Sequence, residues 1–77
     1  MTKSELLVLA RVRRMAKSGE AKAIRLGAEL SLAEVGSPVG VGPATVYHWE
    51  NGKRVPHGEA ALKYASVLDA LVAAAPA

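Results

Sequence analysis

The stretch that decides the fold runs Leu30-Ser31-Leu32-Ala33-Glu34-Val35-Gly36-Ser37-Pro38-Val39-Gly40-Val41-Gly42-Pro43-Ala44-Thr45-Val46-Tyr47-His48-Trp49-Glu50-Asn51-Gly52-Lys53-Arg54. Ser31 followed three residues later by Glu34 has the spacing of a capping box, so a helix is predicted to start there. Gly36, Ser37 and Pro38 are expected to break it, because proline lacks the amide proton and clashes with the preceding turn. Gly40-Val41-Gly42 is a turn signal, and Pro43 suits the first position of a second helix. That helix is predicted over Pro43 to Glu50, with Asn51-Gly52 tolerating the left-handed backbone of a helix end. Val35, Val39, Val41, Val46 and Trp49 fall where two steeply crossing helices bury them.

Upstream, Ser4 to Ser18 reads as a helix, with Thr2 and Glu5, or Ser4 alone, as its cap and Gly19 as its stop. At about 100° per residue, Val8, Leu9, Val12, Met15 and Ala16 gather on one face. Arg11, Arg13, Arg14 and Lys17 occupy the other, and Leu7 is the odd residue among them. Two readings of the basic face stand side by side: an ordinary solvated surface, or one that meets phosphates or a second subunit. A second helical stretch is predicted over Glu20 to Glu29.

Downstream, Lys53-Arg54-Val55-Pro56 is a basic loop, and a last helix is predicted from about Gly58 to about Ala74. It carries two apolar stripes, Ala61, Leu62, Ala65, Leu68 and Val72 in one, and Tyr64, Val67 and Leu71 in the other. One stripe is expected to close the core; the second marks a subunit interface or a wider core face. No period-two alternation competes with the helices, and there is no internal repeat.

The 77 residues suffice for one core, and half of them are apolar, mostly Ala, Leu and Val, which suits closely packed helices. A single domain over residues 1–77 is expected, with 1–19 as an additional N-terminal helix and 20–74 as the central part. There is no cysteine, which excludes disulfides and thiolate metal sites. No apolar run approaches the ~20 residues of a membrane span, and the N-terminus has no signal-peptide pattern, so a soluble cytoplasmic protein, in a prokaryotic cell or at its nucleoid, is expected. The net charge of +3 is unevenly placed. Up to Arg25 there are seven cationic side chains against Glu5 and Glu20, whereas the remainder has three against five. A basic half suggests a polyanion partner.

A short helix, a glycine-centred turn and a second short helix form a helix-turn-helix arrangement, in which the first helix braces a second whose exposed end can enter a groove about 12 Å wide. The segment resembles the helix-turn-helix of the phage Cro and repressor family. Leu30-Ser31, Glu34, Gly40-Val41, Thr45-Val46 and Trp49-Glu50-Asn51-Gly52-Lys53-Arg54 match that family in register, and the resemblance covers roughly Lys22 to Leu71. It implies an all-α fold, a compact five-helix bundle with a central helix-turn-helix. It also implies a sequence-specific regulator of transcription, a Cro-like repressor bound to a double-stranded DNA operator. With the second apolar stripe of the last helix as an interface, a homodimer on DNA is expected.

The resemblance assigns roles to residues. Arg25 and Glu50 match a structural ion pair between the first family helix and the end of the recognition helix. Trp49 matches a core position. Thr45, Asn51, Lys53 and Arg54 match or neighbour positions that hold the DNA backbone, and Gly42, lacking a side chain, is counted with these phosphate contacts. Base-reading positions fall at Pro43, Ala44 and His48, with Tyr47 beside them. Family members often carry Gln, Asn, Arg or Ser where this chain has Gly42, Pro43 and Ala44. The bidentate contacts to adenine and guanine are therefore missing there, leaving thymine-methyl contact and polar contact by Thr45, Tyr47 or His48. DNA shape or a paired half-site is expected to supplement them. Leu32 and Pro38 also replace polar residues common in the family's first motif helix.

Other chemistries fit less well. His48 and His57, the two histidines, lie in no metal-ligand spacing, so neither a metal nor a cofactor is expected. Gly36, Gly40 and Gly42 lack the Gly-Lys-Ser/Thr of a phosphate loop, and no residue set has the acid-base partners of an enzyme. The alternative is an antitoxin or recombination-accessory protein that binds DNA and a protein partner, with the N-terminal helix engaging that partner. The lack of a further domain favours a stand-alone regulator over a two-domain repressor.

Overall fold

The hydroxyl of Thr2 accepts a hydrogen bond from the amide of Glu5 at 3.1 Å, and the Glu5 carboxylate accepts from the Thr2 amide at 2.8 Å. This reciprocal cap starts α1 (Lys3–Ser18), and the Thr2 backbone amide foremost, with the Thr2 hydroxyl beside the carboxylate, holds the Glu5 carboxyl below the usual carboxylate range. The computed structural model describes residues 1–76, in the order α1, α2 (Glu20–Gly27), α3 (Leu32–Val39), α4 (Pro43–Glu50) and α5 (Gly58–Ala74). Among the described residues there is no strand, and the architecture is the expected all-α five-helix bundle. No helix among them is long and apolar enough to cross a membrane.

Gly19 closes α1 with a left-handed backbone, φ 91°, and the chain turns straight into α2. The second helix is shorter than the predicted Glu20 to Glu29. It stops at Gly27 because Glu29 turns to φ 59°, after which the Leu30 amide returns to the Arg25 carbonyl at 3.2 Å. Ser31 and Glu34 form the second reciprocal cap, at 2.8 and 3.0 Å, and start α3.

Pro38 does not break α3, contrary to the sequence expectation; the helix runs through it to Val39. Pro38 lies in the last turn, so only the Glu34 carbonyl loses its amide partner, and Glu34 is exposed to water. The stop is Gly40, φ 85°, whose amide and that of Val41 both donate to the Gly36 carbonyl at 2.9 and 3.1 Å.

All five helices contribute to one apolar cluster: Leu9, Val12, Met15 and Ala16 from α1, Ala21 from α2, Val35 and Val39 from α3, Val46 and Trp49 from α4, and the buried face of α5. Val8 and Val41 pack at its edge, half-buried, and Leu7 is exposed. On α5 the two stripes of the sequence reading merge. Ala61, Tyr64, Ala65 and Leu68, drawn from both, are buried together, and Val67 packs against them. Val72, assigned to a core stripe, is instead exposed, at the rim of grooves that α5 forms with α1 and α2.

Candidate nucleic-acid interface

The turn between α3 and α4 is tight because Gly36 has no side chain. A Cβ built there would lie 2.5 Å from the Val41 carbonyl oxygen, too close for any other residue without displacing the backbone. This approach brings α4 directly after the turn, with Gly42 as its N-cap and Pro43 as its first residue. Gly42 offers no side-chain cap, so the first amides of α4, those of Ala44 and Thr45, remain open to an external acceptor.

The buried and exposed residues of α4 divide cleanly. Val46, Trp49 and Glu50 face the core, while Pro43, Ala44 and Tyr47 are exposed and Thr45 and His48 are half-covered. Four of the residues named from the resemblance as base contacts, Pro43, Ala44, Tyr47 and His48, thus share one outward side. Tyr47 is the largest exposed side chain on it, and its ring meets that of His48 edge-on, centroids 5.8 Å apart. The Nδ1 of His48 is buried without a hydrogen-bond partner, so less of this ring than of Tyr47 can reach outward.

After α4 the chain folds back on the last helical turn. The amide of Asn51 donates to the Tyr47 carbonyl at 3.1 Å, and those of Lys53 and Arg54 donate to the His48 carbonyl at 2.9 and 3.3 Å. Gly52 makes this possible with φ 69°. Asn51 Nδ2 also donates to the Tyr47 carbonyl, at 2.8 Å, so one of its amide protons is spent inside the protein. The side chains of Lys53 and Arg54 are exposed. Between Gly40 and Gly58 the sequence has one carboxylate, Glu50, and it is buried. The outward surface of α4 and its loop therefore carries the cations Lys53 and Arg54 and no exposed carboxylate of its own.

Arg25 and Glu50 meet beneath this surface. Arg25 Nε donates to Glu50 Oε2 at 2.7 Å and Nη2 to Oε1 at 2.9 Å, while Nη1 donates to the Leu30 carbonyl at 3.0 Å. The Glu50 side chain is 2% exposed and the Arg25 side chain 10%, and the hydrogen bonds to Glu50 push the guanidinium pKa above its ordinary value. Trp49 stacks on Tyr64 of α5 with ring centroids 4.7 Å apart and a tilt of 37°. The recognition-type helix is thus held by α2 through charge and by α5 through aromatic packing.

Sequence reading missed one contact that shapes this site. Arg13 Nε of α1 donates to the Pro56 carbonyl at 2.8 Å, fastening the added helix to the basic loop. Arg11 similarly forms two 2.8 Å bonds to Asp69 of α5. The basic face of α1 is visible in the sequence, but no spacing rule joins residues 43 and 58 positions apart.

A helix-turn-helix family model matches residues 22–71, about two-thirds of the chain. Comparison with curated proteins and with solved structures gives no match. The match begins after α1 and takes in the Arg25–Glu50 pair, the Gly36 turn, α4 and the basic loop. The chain belongs to the lambda repressor/Cro-like helix-turn-helix family, a family of DNA-binding transcription regulators rather than enzymes.

Proposed function

We propose that the protein is a Cro-like repressor that reads a double-stranded operator by inserting the N-terminal half of α4 into the major groove. The observation that carries this is the division of α4. Pro43, Ala44 and Tyr47 stand exposed on a helix whose opposite side is locked by Val46, Trp49 and Glu50, and the exposed Lys53 and Arg54 flank it. A rigid outward edge beside cations that form no ion pair among the described residues is what groove insertion with phosphate anchoring needs. In this reading Tyr47, with Pro43, Ala44 and the accessible part of His48, touches base edges. The open amides after Gly42, the Thr45 hydroxyl, the second amide proton of Asn51, Lys53 and Arg54 hold phosphates.

The reading includes a homodimer on DNA, formed through the C-terminal end of α5. Val72, 54% exposed, borders an apolar groove there with the half-buried Ile24 and Leu71. Residues 1–77 act in it as a single DNA-binding domain of a cytoplasmic protein working at the nucleoid. The deciding experiment is selection of bound fragments from a random DNA pool. A palindrome with half-sites about 34 Å apart, or a multiple of that, is expected. Failure to enrich any sequence would overturn sequence-specific binding, and a single unrepeated half-site would overturn the dimer.

A second reading has its own support. Leu6 and Leu7, 53% and 65% exposed, are adjacent apolar residues near the N-terminal end of α1, suited to a protein partner as in an antitoxin or recombination accessory. Copurification of a second polypeptide that Leu6→Ser and Leu7→Ser release would favour it.

A further inference from the structure

We propose that α1, which lies outside the family match, extends the phosphate-binding surface through Arg13 and Lys17. The proposal rests on the DNA-binding reading above and adds a partner-facing element to it.

The four basic residues of α1 do not share one environment. Arg11 is bonded to Asp69, and Arg14 borders a surface groove with Glu20 and Asp69, so both cations face carboxylates. Arg13 and Lys17, four residues apart and so neighbours on the helix surface, border a different shallow groove with Gly52, Arg54 and Pro56, and no carboxylate borders it. Arg13 uses Nε to hold the Pro56 carbonyl at 2.8 Å, and neither of its Nη atoms has a hydrogen-bond partner among the described residues. Lys17 is exposed and forms no ion pair among them.

Three cations from two separate elements, Arg13, Lys17 and Arg54, therefore converge on one groove without a counter-charge. Left alone they repel one another, and a polyanion removes that repulsion. Duplex DNA presents one charge per about 1.7 Å of axis, so a surface continuous with a phosphate-holding loop meets further phosphates of the same strand. That continuity favours the DNA backbone over an acidic protein as the occupant. Arg13 acts in two ways at once, fixing the loop that carries Lys53 and Arg54 while turning its own free nitrogens toward the same backbone.

The test is the salt dependence of binding to mixed-sequence duplex DNA between about 50 and 200 mM salt, where each phosphate contact contributes about 0.9 to the slope of log affinity against log salt. Lys17→Ala is expected to flatten the slope by about 0.9, and Arg13→Ala with Lys17→Ala by about twice that, equally on all sequences. Lys3→Ala, at the other end of α1 some 21 Å away at about 1.5 Å per residue, is expected to leave it unchanged. Lys17 is exposed, so its variant folds normally even if Arg13→Ala loosens the loop. An unchanged slope in Lys17→Ala while Arg54→Ala flattens it overturns the role of α1 and leaves DNA binding standing. Equal flattening by Lys3→Ala and Lys17→Ala overturns a local site in favour of net charge. If Arg54→Ala also changes nothing, or the protein binds no duplex, the DNA-binding reading itself falls.

Discussion

Arg25 clasps Glu50 with two hydrogen bonds of 2.7 and 2.9 Å in a nearly dry setting, and so joins α2 to the last residue of α4. Neither charge has water to fall back on. Truncating either partner strands the other, which by the usual behaviour of buried pairs costs about 3–5 kcal/mol. Arg25→Ala and Glu50→Ala are each expected to lose that much in urea unfolding, and the double variant to lose much less than the sum of the two. A loss below about 1 kcal/mol in both single variants would show that the pair does not brace α4.

The glycines give a sharper contrast, because one substitution has opposite signs at two places. Gly36→Ala sets a methyl 2.5 Å from the Val41 carbonyl and is expected to destabilise by roughly 1–3 kcal/mol as the turn is forced apart. Gly27→Ala meets no atom within 4 Å and has no left-handed backbone, so it is expected to stabilise by about 0.5–1 kcal/mol. Thermal unfolding of the two variants beside the parent checks both signs.

These positions also show how far the fold is legible in the sequence. Both capping boxes, the Gly40 turn and the bounds of α4 and α5 follow from local chemistry over three or four residues, and sequence alone contains that. Pro38 departs from expectation because the rule against proline holds for helix interiors, whereas in a last turn one carbonyl is freed into solvent. Tyr64 and Ala65 fall in separate stripes by periodicity, which cannot say how many neighbours surround a helix; with α1, α2 and α3 all against α5, the buried arc is wide. At the site, the outward residues of α4 and the Arg25–Glu50 contact are legible only through resemblance. The Arg13–Pro56 bond is not legible at all, since it joins an element outside the matched region to a loop by geometry alone.

Tyr64 supplies a pH dependence. Its hydroxyl is buried without a hydrogen-bond partner, and burial, reinforced by Glu50 and partly offset by Arg25, pushes its pKa up to about 12. In the unfolded chain the group titrates near its ordinary value of about 10. Because the folded value is the higher, the stabilisation is complete below pH about 10 and is lost as pH rises from about 10 to 12, by some 2–3 kcal/mol. Tyr64→Phe removes an unsatisfied polar atom while keeping the ring on Trp49. It is expected to match or exceed the parent at neutral pH and to lose less stability in that alkaline window. Equal alkaline loss in both proteins would assign the effect to other groups.

Tyr47 is exposed on the outward side of α4, whereas His48 is half-covered with a buried Nδ1. Tyr47→Ala is therefore expected to relax preference at one or two base pairs by roughly 1–3 kcal/mol, and His48→Ala to do so by less. Competition binding against single-base variants of the selected operator measures both. A larger effect at His48 would mean that its ring swings out on binding.

Ala44 tests the direction of the whole insertion. It is exposed in the first turn of α4, next to open amides, and has no donor or acceptor with which to hydrogen-bond a base. A glutamine there has the length and the paired donor and acceptor that adenine N6 and N7 require. Ala44→Gln is expected to create a new preference for an A·T pair at one fixed position of each half-site, worth about 1–3 kcal/mol, without altering the salt slope, because no phosphate contact is gained or lost. Repeating the random-pool selection with the variant reads the outcome directly. If the selected site is unchanged, Ala44 does not face the groove floor, and the helix must enter by its Tyr47 edge instead.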